Sequence, residues 1–248
     1  MRARPYGALN KRAKNGEKNE PRRAEFMLVY QCQKSYFNIL TGINMQSRIG
    51  ILGGTFNPVH IGHLILAQDA LEAFDLTKVL FVPCNLPPHK AAVQLVPASH
   101  RAAMLENAIE DNPDFEICDI EIRMGGTNYS IDTVRHLRKI YPQHELIFII
   151  GSDSLMELHQ WKEVDELLRL CRFATFIRPG FDLKKTNKQN PNLAPALNQN
   201  LLKNVVAVHQ IDISSSDIRH RIAEGMSIRY LVPSPVELYL AEHNLYKK

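Results

Sequence analysis

Two histidines three residues apart provide the clearest chemistry in the 248-residue sequence. His60 and His63 follow a glycine pair at 53–54, which interrupts the apolar run 49–52. The run predicts a buried strand, and a helical pattern of apolar residues begins at about Ile61. Residues at this spacing share one face of a helix. Because the start of a helix also presents backbone N–H groups at its positive end, the stretch predicts a site for nucleotide phosphates.

A second anion-binding segment is predicted from Ser214 to Arg219. Ser214 and Asp217 have the spacing of a helix-capping box, so a helix should begin here. The N–H groups of its first turn, together with Arg219, could hold phosphate oxygens. An ordinary helix cap with a solvent-exposed arginine is the alternative, and it would be favoured if this segment stood alone.

The elements that must position these residues alternate between strands and helices from residue 48 onward. Apolar runs predict strands at 49–52, 78–83, 115–122, 145–150, 173–177 and 205–208. Helical patterns lie between them, and Ser130, Ser214 and Ser234 are predicted to cap helices. Such alternation predicts an α/β fold, a doubly wound parallel sheet with helices on both faces.

Four polar loops leave the carboxyl ends of predicted strands, at 53–63, 84–90, 151–161 and 209–219. In a doubly wound sheet such loops converge on one edge, where ligands bind near the switch point of the strand order. We therefore expect all four loops to contribute to a single site. The Asn- and Lys-rich segment 181–204 is predicted to be a mobile loop of open purpose.

Composition narrows the classes of function. The hydrophobic content of 45% and charged content of 23% are those of a soluble globular protein. The longest apolar run, 146–150, is far too short to cross a bilayer, so no membrane association is expected. Cys32, Cys84, Cys118 and Cys171 form no metal-binding spacing, which favours free thiols in a reducing cytoplasm.

The positive charge is concentrated at the N-terminus. Residues 1–48 hold ten Lys/Arg and three Glu, a charge of +7, whereas the rest holds twenty Lys/Arg and twenty-three Asp/Glu, a charge of −3. A nucleic-acid-binding function would depend on this segment alone, and we expect no nucleic-acid partner. Residues 1–47 are predicted to be a disordered or weakly structured basic extension, with Met45 as the favoured natural start. Residues 48–248 form the predicted domain.

Residues 53–63 resemble the complete signature of the nucleotidyltransferase alpha/beta-phosphodiesterase superfamily, G-G-[ST]-F-[DN]-P-x-H-x-G-H. Asn57 occupies the slot where Asp is commoner. Residues 213–219 resemble the second motif of that superfamily, I-S-S-T-x-[IL]-R, with Ser216 in place of Thr. In that superfamily the two histidines bind the phosphates of a nucleoside triphosphate. The resemblance also implies a Rossmann-like nucleotidyltransferase fold.

Three further stretches resemble the bacterial nicotinate-nucleotide adenylyltransferase family. Residues 85–90 are similar to its N-x-P-P-H-K loop, and residues 127–133 are similar to its [ST]-Y-[ST]-x-[DE]-T segment. Gly151 and Asp153, followed by Trp161, are similar to its G-x-D…W pair. Phosphopantetheine adenylyltransferases share the first motif but are shorter and lack this pair. The similarity runs from residue 48 to the C-terminus.

The resemblance implies a role for each matching residue. Catalysis would fall to His60, His63, Lys90 and Arg219; ATP would bind at Gly53, Gly54, Thr55, Phe56, Gly62, Gly151, Asp153, Ser214, Ser215 and Ser216; nicotinate mononucleotide would bind at Asn57, Lys90, Thr127, Tyr129, Trp161 and Arg178. Trp161 would stack near the pyridine ring, although a core tryptophan carries comparable weight. Lys90 would meet phosphate, or would be an ordinary solvent-exposed lysine. Mg²⁺ would arrive with the ATP phosphates.

The implied reaction belongs to NAD biosynthesis: ATP and nicotinate mononucleotide give deamido-NAD and pyrophosphate. No Ser-His-Asp or Cys-His set stands out, and an anionic phosphate nucleophile needs no general base. Two alternatives stay open, namely the same chemistry on nicotinamide mononucleotide or another phosphate acceptor, and a nucleotide- or RNA-binding module. The implied partners are ATP and nicotinate mononucleotide, and a homo-oligomer stays open.

Overall fold

The computed structural model describes residues 47–87, 95–177, 201, 204–206, 209 and 211–248. Within these residues six strands form one parallel sheet in the order β3-β2-β1-β4-β5-β6. The strands are β1 (Arg48–Gly54), β2 (Lys78–Pro83), β3 (Phe115–Ile117), β4 (Glu145–Gly151), β5 (Arg172–Phe176) and β6 (Val205–Val206). The prediction of a doubly wound parallel sheet is confirmed.

In the described residues, helices connect the first five strands and follow β6. They are α1 (Ile61–Ala73), α2 (Ala98–Ile109), α3 (Ile120–Met124), α4 (Ser130–Ile140), α5 (Ser152–Glu157), α6 (Val164–Leu170), α7 (Ser215–Ala223) and α8 (Ser234–Glu242), with a 3₁₀ turn at Leu158–Gln160. In the described part of the chain, no helix combines the length and apolar character needed to cross a membrane.

Both faces of the sheet are covered by apolar side chains, as a parallel sheet requires. Along β4, Ile147 and Ile149 pack into a cluster with residues of α1, α2, α7 and α8. Their neighbours Phe148 and Ile150 pack into the other cluster, with residues of α4 and α6. This alternation follows from the two-residue period of a strand and explains why the whole run is apolar.

The strand order reverses between β1 and β4. The chain passes outward from β1 to β2 and β3, and then returns so that β4 lies on the other side of β1. The ladder of β1 with β2 continues to Gly54↔Pro83, whereas its ladder with β4 ends at Ile51↔Phe148. The carboxyl ends of β1 and β4 therefore border the switch point, where folds of this kind bind their ligands.

Three local predictions were wrong. The strand predicted over 115–122 ends at Ile117, and α3 begins soon afterwards, because Arg123 N donates to Asp119 O at 2.9 Å and closes a helical turn. Ser130 and Ser234 are the first residues of α4 and α8 and not their caps, since the preceding residues occupy the cap positions.

Two further predictions fall largely outside the described residues. Of the last strand, predicted over 205–208, only 205–206 are described, and of the segment 181–204 only residues 201 and 204 are described.

Side chains from a neighbouring strand and from the loop before β2 lie close to the backbone of Gly50 in β1. A Cβ there would lie 2.7 Å from Leu76 Cδ1 and 3.0 Å from Ile149 Cδ1. Because Leu76 is itself buried, we expect Gly50→Ala to lower the free energy of unfolding by about 1–3 kcal/mol, the usual cost of overpacking a core. Urea denaturation measures this change.

Gly53→Ala is the matched control in the same strand. A Cβ at residue 53 would meet only the ring of Phe148, with Cζ at 3.7 Å, which is an ordinary contact. The control should therefore unfold at nearly the wild-type urea concentration. Equal destabilisation by both substitutions would contradict the packing argument.

Candidate active site

The β1–α1 turn holds the two histidines against each other. The His60 N–H donates to His63 Nδ1 at 3.2 Å, and the His63 N–H donates to His60 O at 2.9 Å. The two rings stack with their centroids 3.7 Å apart, which confirms that they share one face. Because His63 Nδ1 accepts a hydrogen bond, the neutral ring carries its proton on Nε2, which can donate to an anion.

Glycines make room for the aromatic rings of this turn. A Cβ on Gly62 would lie 3.1 Å from His60 Nδ1, and one on Gly54 would lie 3.0 Å from the Phe56 ring. Phe56 has a φ of 48°, in the left-handed region, and its ring contacts that of His63 edge-on at 5.0 Å. Gly54 and Gly62 thus leave the space that these rings occupy.

The segment from Ser214 to Arg219 docks directly on this turn. Arg219 Nη1 donates to Asn57 O, and Ser215 Oγ donates to Pro58 O, each at 2.8 Å. The other terminal nitrogen of Arg219 reaches Ser216 Oγ at 3.2 Å. Ser214 caps α7 by accepting the Asp217 N–H at 3.1 Å, as predicted. The structure therefore places the N-termini of α1 and α7 together.

The carboxyl end of β4 borders the same turn. Gly151 is the residue before α5, Ser152 is fully buried, and Asp153 is exposed in the first turn of that helix. The ring of Phe148 lies within contact distance of a Cβ built on Gly53. Asp153 is therefore placed at the switch point, close to the end of β1.

A turn at 125–129 is tied to the loop that follows β2. Asn85 Nδ2 donates to Gly126 O at 3.0 Å, and Leu86 forms a parallel bridge with Thr127. Thr127 is exposed, and so is Tyr129, whose ring lies 4.7 Å from the Nζ of Lys162. Two of the predicted acceptor-binding residues thus lie on one exposed turn.

Trp161 lies at the margin of the core. Its ring contacts Phe148 edge-on at 5.8 Å and Phe173 at 6.3 Å, and the side chain is half-buried. Part of its surface is thus committed to packing, and stacking on a pyridine ring stays a prediction. Lys90 and Arg178 lie outside the described residues.

Burial raises the pKa values of three thiols and one carboxyl group. Burial raises the pKa of Cys84 and of Cys118, and it raises the pKa of Cys171 to about 12. These thiols are therefore protonated at neutral pH and are poor nucleophiles. Burial also raises the pKa of Glu121, although its hydrogen bond from Thr133 acts in the opposite direction.

Two residues of this region were missed by the sequence analysis. Arg101 of α2 is fully buried beside the loops after β1 and β2. A charge on the same helix as the apolar residues 104, 105 and 108 was the available signal. Tyr246, near the C-terminus, donates its hydroxyl to Asn57 Oδ1 at 2.5 Å, an oxygen that also accepts the Val96 N–H. No sequence pattern marks that contact.

The burial of Tyr246 should make the free energy of unfolding depend on pH in the alkaline range. Burial raises the pKa of Tyr246 above its ordinary value, against a lowering influence of Arg219 and Arg101. Below pH about 10 both the folded and the unfolded chain hold the proton, and the contribution to stability is complete. At higher pH the unfolded chain loses the proton first, so this stability is lost as the pH rises.

We expect Tyr246→Phe to lower the free energy of unfolding by about 1 kcal/mol at neutral pH, the usual value of one hydrogen bond. The difference from wild type should shrink above pH about 10, because only the wild-type unfolded chain gains a tyrosinate at this position. Urea denaturation across pH measures it. Tyr230→Phe is the control, since Tyr230 is 83% exposed; the same pH profile in both variants would contradict the assignment.

Comparison with known proteins agrees with this geometry. A family model described as cytidylyltransferase-like matches residues 51–221. A probable nicotinate-nucleotide adenylyltransferase of Desulfitobacterium hafniense is 42% identical over 204 residues, which cover 81% of this chain and 96% of the relative. One from Halalkalibacterium halodurans is 44% identical over 201 residues, covering 81% and 91%.

A solved structure shares the fold at lower identity. The nicotinic acid mononucleotide adenylyltransferase of Plasmodium falciparum, complexed with NaAD, superimposes with a TM-score of 0.65 at 19% identity and covers 81% of this chain and 97% of its own. The family model spans most of the sheet, the histidine pair and the segment 214–219. The chain therefore belongs to the nicotinate-nucleotide adenylyltransferase family, within the cytidylyltransferase-like proteins.

Proposed function

We propose that this chain transfers the adenylyl group of ATP to nicotinate mononucleotide, giving deamido-NAD and pyrophosphate, a step of NAD biosynthesis. The observation that carries the proposal is the docking of the segment 214–219 on the β1–α1 turn. This contact brings two helix N-termini, two imidazoles and a guanidinium to one place. Those groups all favour an anion with several oxygens. The names of the curated relatives agree with it.

The triphosphate is assigned to the N-termini of α1 and α7. His63 would donate from Nε2, since Nδ1 accepts the His60 N–H. The guanidinium of Arg219 is oriented by Asn57 O and by Ser216 Oγ, so its charge is held in place before a ligand arrives. Donors oriented in advance stabilise developing charge without reorganisation. ATP-binding roles for the glycines, Asp153 and the serines are part of this proposal.

The reaction is an in-line displacement at the α-phosphorus. An oxygen of the 5′-phosphate of the mononucleotide forms the new bond, while the bond from the α-phosphorus to the bridging oxygen breaks. That oxygen leaves with pyrophosphate and takes the electron pair. The attacking phosphate is already anionic at neutral pH, so no side chain has to remove a proton. The protein therefore acts by positioning and by stabilising charge.

Mg²⁺ is proposed to enter as part of the ATP substrate, where it neutralises phosphate charge. The groups assembled here are N–H and O–H donors, which suit phosphate oxygens, whereas Mg²⁺ prefers carboxylate and water oxygens. In the part of the chain that the structure describes, no group of three or more His, Cys, Asp or Glu could hold a metal ion.

The acceptor is assigned to the turn 125–129 and the neighbouring Trp161. Thr127 and Tyr129 are exposed there, and the ammonium group of Lys162 lies over the Tyr129 ring. The Lys162 ammonium, which also pairs with Asp132 Oδ2 at 3.4 Å, is the cation on which we base the proposed preference for nicotinate over nicotinamide. Lys90 and Arg178 are proposed as further contacts to the mononucleotide.

Residues 48–248 are proposed as the catalytic domain, and residues 1–47 as an extension that catalysis does not need. The match to the relative from D. hafniense supports this division, since it covers 96% of that protein but 81% of this chain. A cytoplasmic location is also proposed, because the free thiols of Cys84, Cys118 and Cys171 suit a reducing compartment.

Pyrophosphate release with ATP and a panel of acceptors tests the function. Nicotinate mononucleotide should give the highest kcat/KM, followed by nicotinamide mononucleotide, with phosphopantetheine and FMN near background. A chain that begins at Met45 should match the full chain. Release with phosphopantetheine or FMN alone would overturn the acceptor assignment, and loss of activity in the shortened chain would overturn the division into domains.

His63→Ala should lower kcat by about 10²–10³-fold, as expected when one donor to a developing charge is removed. The circular dichroism spectrum should be unchanged, because the His63 side chain is only partly buried. His136→Ala is the matched control, since His136 is exposed on α4 and contacts only Asp132 O in its own helix. Near-normal turnover of His63→Ala would contradict the mechanism.

A further inference from the structure

Arg101 is a fully buried charge whose acceptors are uncharged. Its side chain is 0% exposed, and it lies on α2 with the buried Met104 and Leu105. The guanidinium reaches three backbone carbonyl oxygens and, at 3.9 Å, the sulfur of Cys84. Burying a guanidinium is costly unless its N–H groups have hydrogen-bond acceptors. The three carbonyl oxygens must therefore keep their positions for the buried charge to be tolerated.

The three carbonyls belong to three separate segments of the chain. Arg101 Nη1 donates to Thr55 O at 2.8 Å, in the turn assigned to the triphosphate. Nη2 donates to Asn85 O at 2.7 Å, in the loop after β2. Nε donates to Val96 O at 3.1 Å, just before α2. One planar group thus fixes the relative positions of all three segments.

Asn85 extends this connection to the acceptor turn. Its carbonyl accepts from Arg101, while its side-chain Nδ2 donates to Gly126 O at 3.0 Å. The next residue, Leu86, forms a bridge with Thr127. The path Thr55–Arg101–Asn85–Gly126 therefore joins the proposed ATP site to the proposed acceptor site through three hydrogen bonds.

Val96 provides a second link at the ATP side. Its carbonyl accepts from Arg101, and its N–H donates to Asn57 Oδ1 at 3.3 Å. The carbonyl of Asn57 in turn accepts from Arg219. Val96 and Asn57 thus connect Arg101 to the residue whose carbonyl orients Arg219.

We propose that Arg101 is a positioning residue that sets the separation between the triphosphate and acceptor sites, with Asn85 as its relay. The inference rests on the proposed function. In-line attack requires the two phosphates to be aligned, and a displacement of 1 Å can cost about 10²-fold in rate. A lysine could not replace Arg101, because one ammonium group cannot span three carbonyls held in a planar fork.

The test compares Arg101→Lys and Asn85→Ala with wild type in steady-state kinetics, with the ATP dissociation constant measured separately by calorimetry. Arg101→Lys should lower kcat by about 10²-fold and Asn85→Ala by roughly 10-fold, since the second loses one link of the path. Binding of ATP alone should change by less than about threefold, because Arg219 and the histidine pair keep their own hydrogen bonds when Arg101 is replaced. Asn112→Ala is the matched control, because Asn112 precedes β3 and so lies at the amino-terminal ends of the strands, away from the proposed sites.

The double variant distinguishes positioning from general weakening. If Arg101 acts through Asn85, the double variant should be hardly slower than Arg101→Lys alone, because residues of one network do not act additively. Additive losses in kcat would overturn the inference. So would a kcat per folded molecule equal to wild type, or an ATP affinity that falls in parallel with kcat.

Failure of this inference can be told from failure of the proposed function. If wild type releases no pyrophosphate with any acceptor, the proposed function fails and this inference falls with it. If wild type is active and the variants equal it, only the inference is overturned. Should Arg101→Lys not fold, the half-exposed Asn85 side chain still permits a decision, since Asn85→Ala must lower kcat without lowering ATP affinity.

Discussion

The β1–α1 turn depends on hydrogen bonds donated by side chains from distant parts of the chain. Its carbonyl groups accept from Arg101 at Thr55, from Arg219 at Asn57 and from Ser215 at Pro58. A buried carbonyl that loses its donor costs about 1–3 kcal/mol, so each of these bonds is a strong constraint. Side chains of α2 and α7 thus stabilise the shape of this turn.

Arg219 both holds the backbone of this turn and keeps its positive charge at the proposed site. The donors of Arg219 are partly used to hold the backbone, yet its positive charge stays at the N-termini of α1 and α7. A charge oriented by the protein favours phosphate without any rearrangement when the ligand binds. The same bonds that stabilise the fold thus prepare the site, which explains why a compact set of donors suffices for the proposed chemistry.

Much of the fold could be predicted because its signals are local. The apolar runs of β1, β2 and β4, the start of α1 and the cap of α7 are set by residues within a few positions of each other. Gly54 and Gly62 are predicted to bind ATP, and the structure adds that a Cβ there would lie 3.0 Å from the Phe56 ring or 3.1 Å from His60 Nδ1. Individual contacts to ATP and to the acceptor stay predictions.

The sequence by itself determined the parallel sheet and the starts of α1 and α7, since periodicity and spacing encode these features. Only the tertiary structure decided that 120–124 turns into a helix, that Trp161 packs on Phe148, and that Arg101 and Tyr246 reach the β1–α1 turn. Tyr246 and Asn57 are 189 positions apart. Such contacts depend on how whole elements pack, and no local pattern of residue types records them.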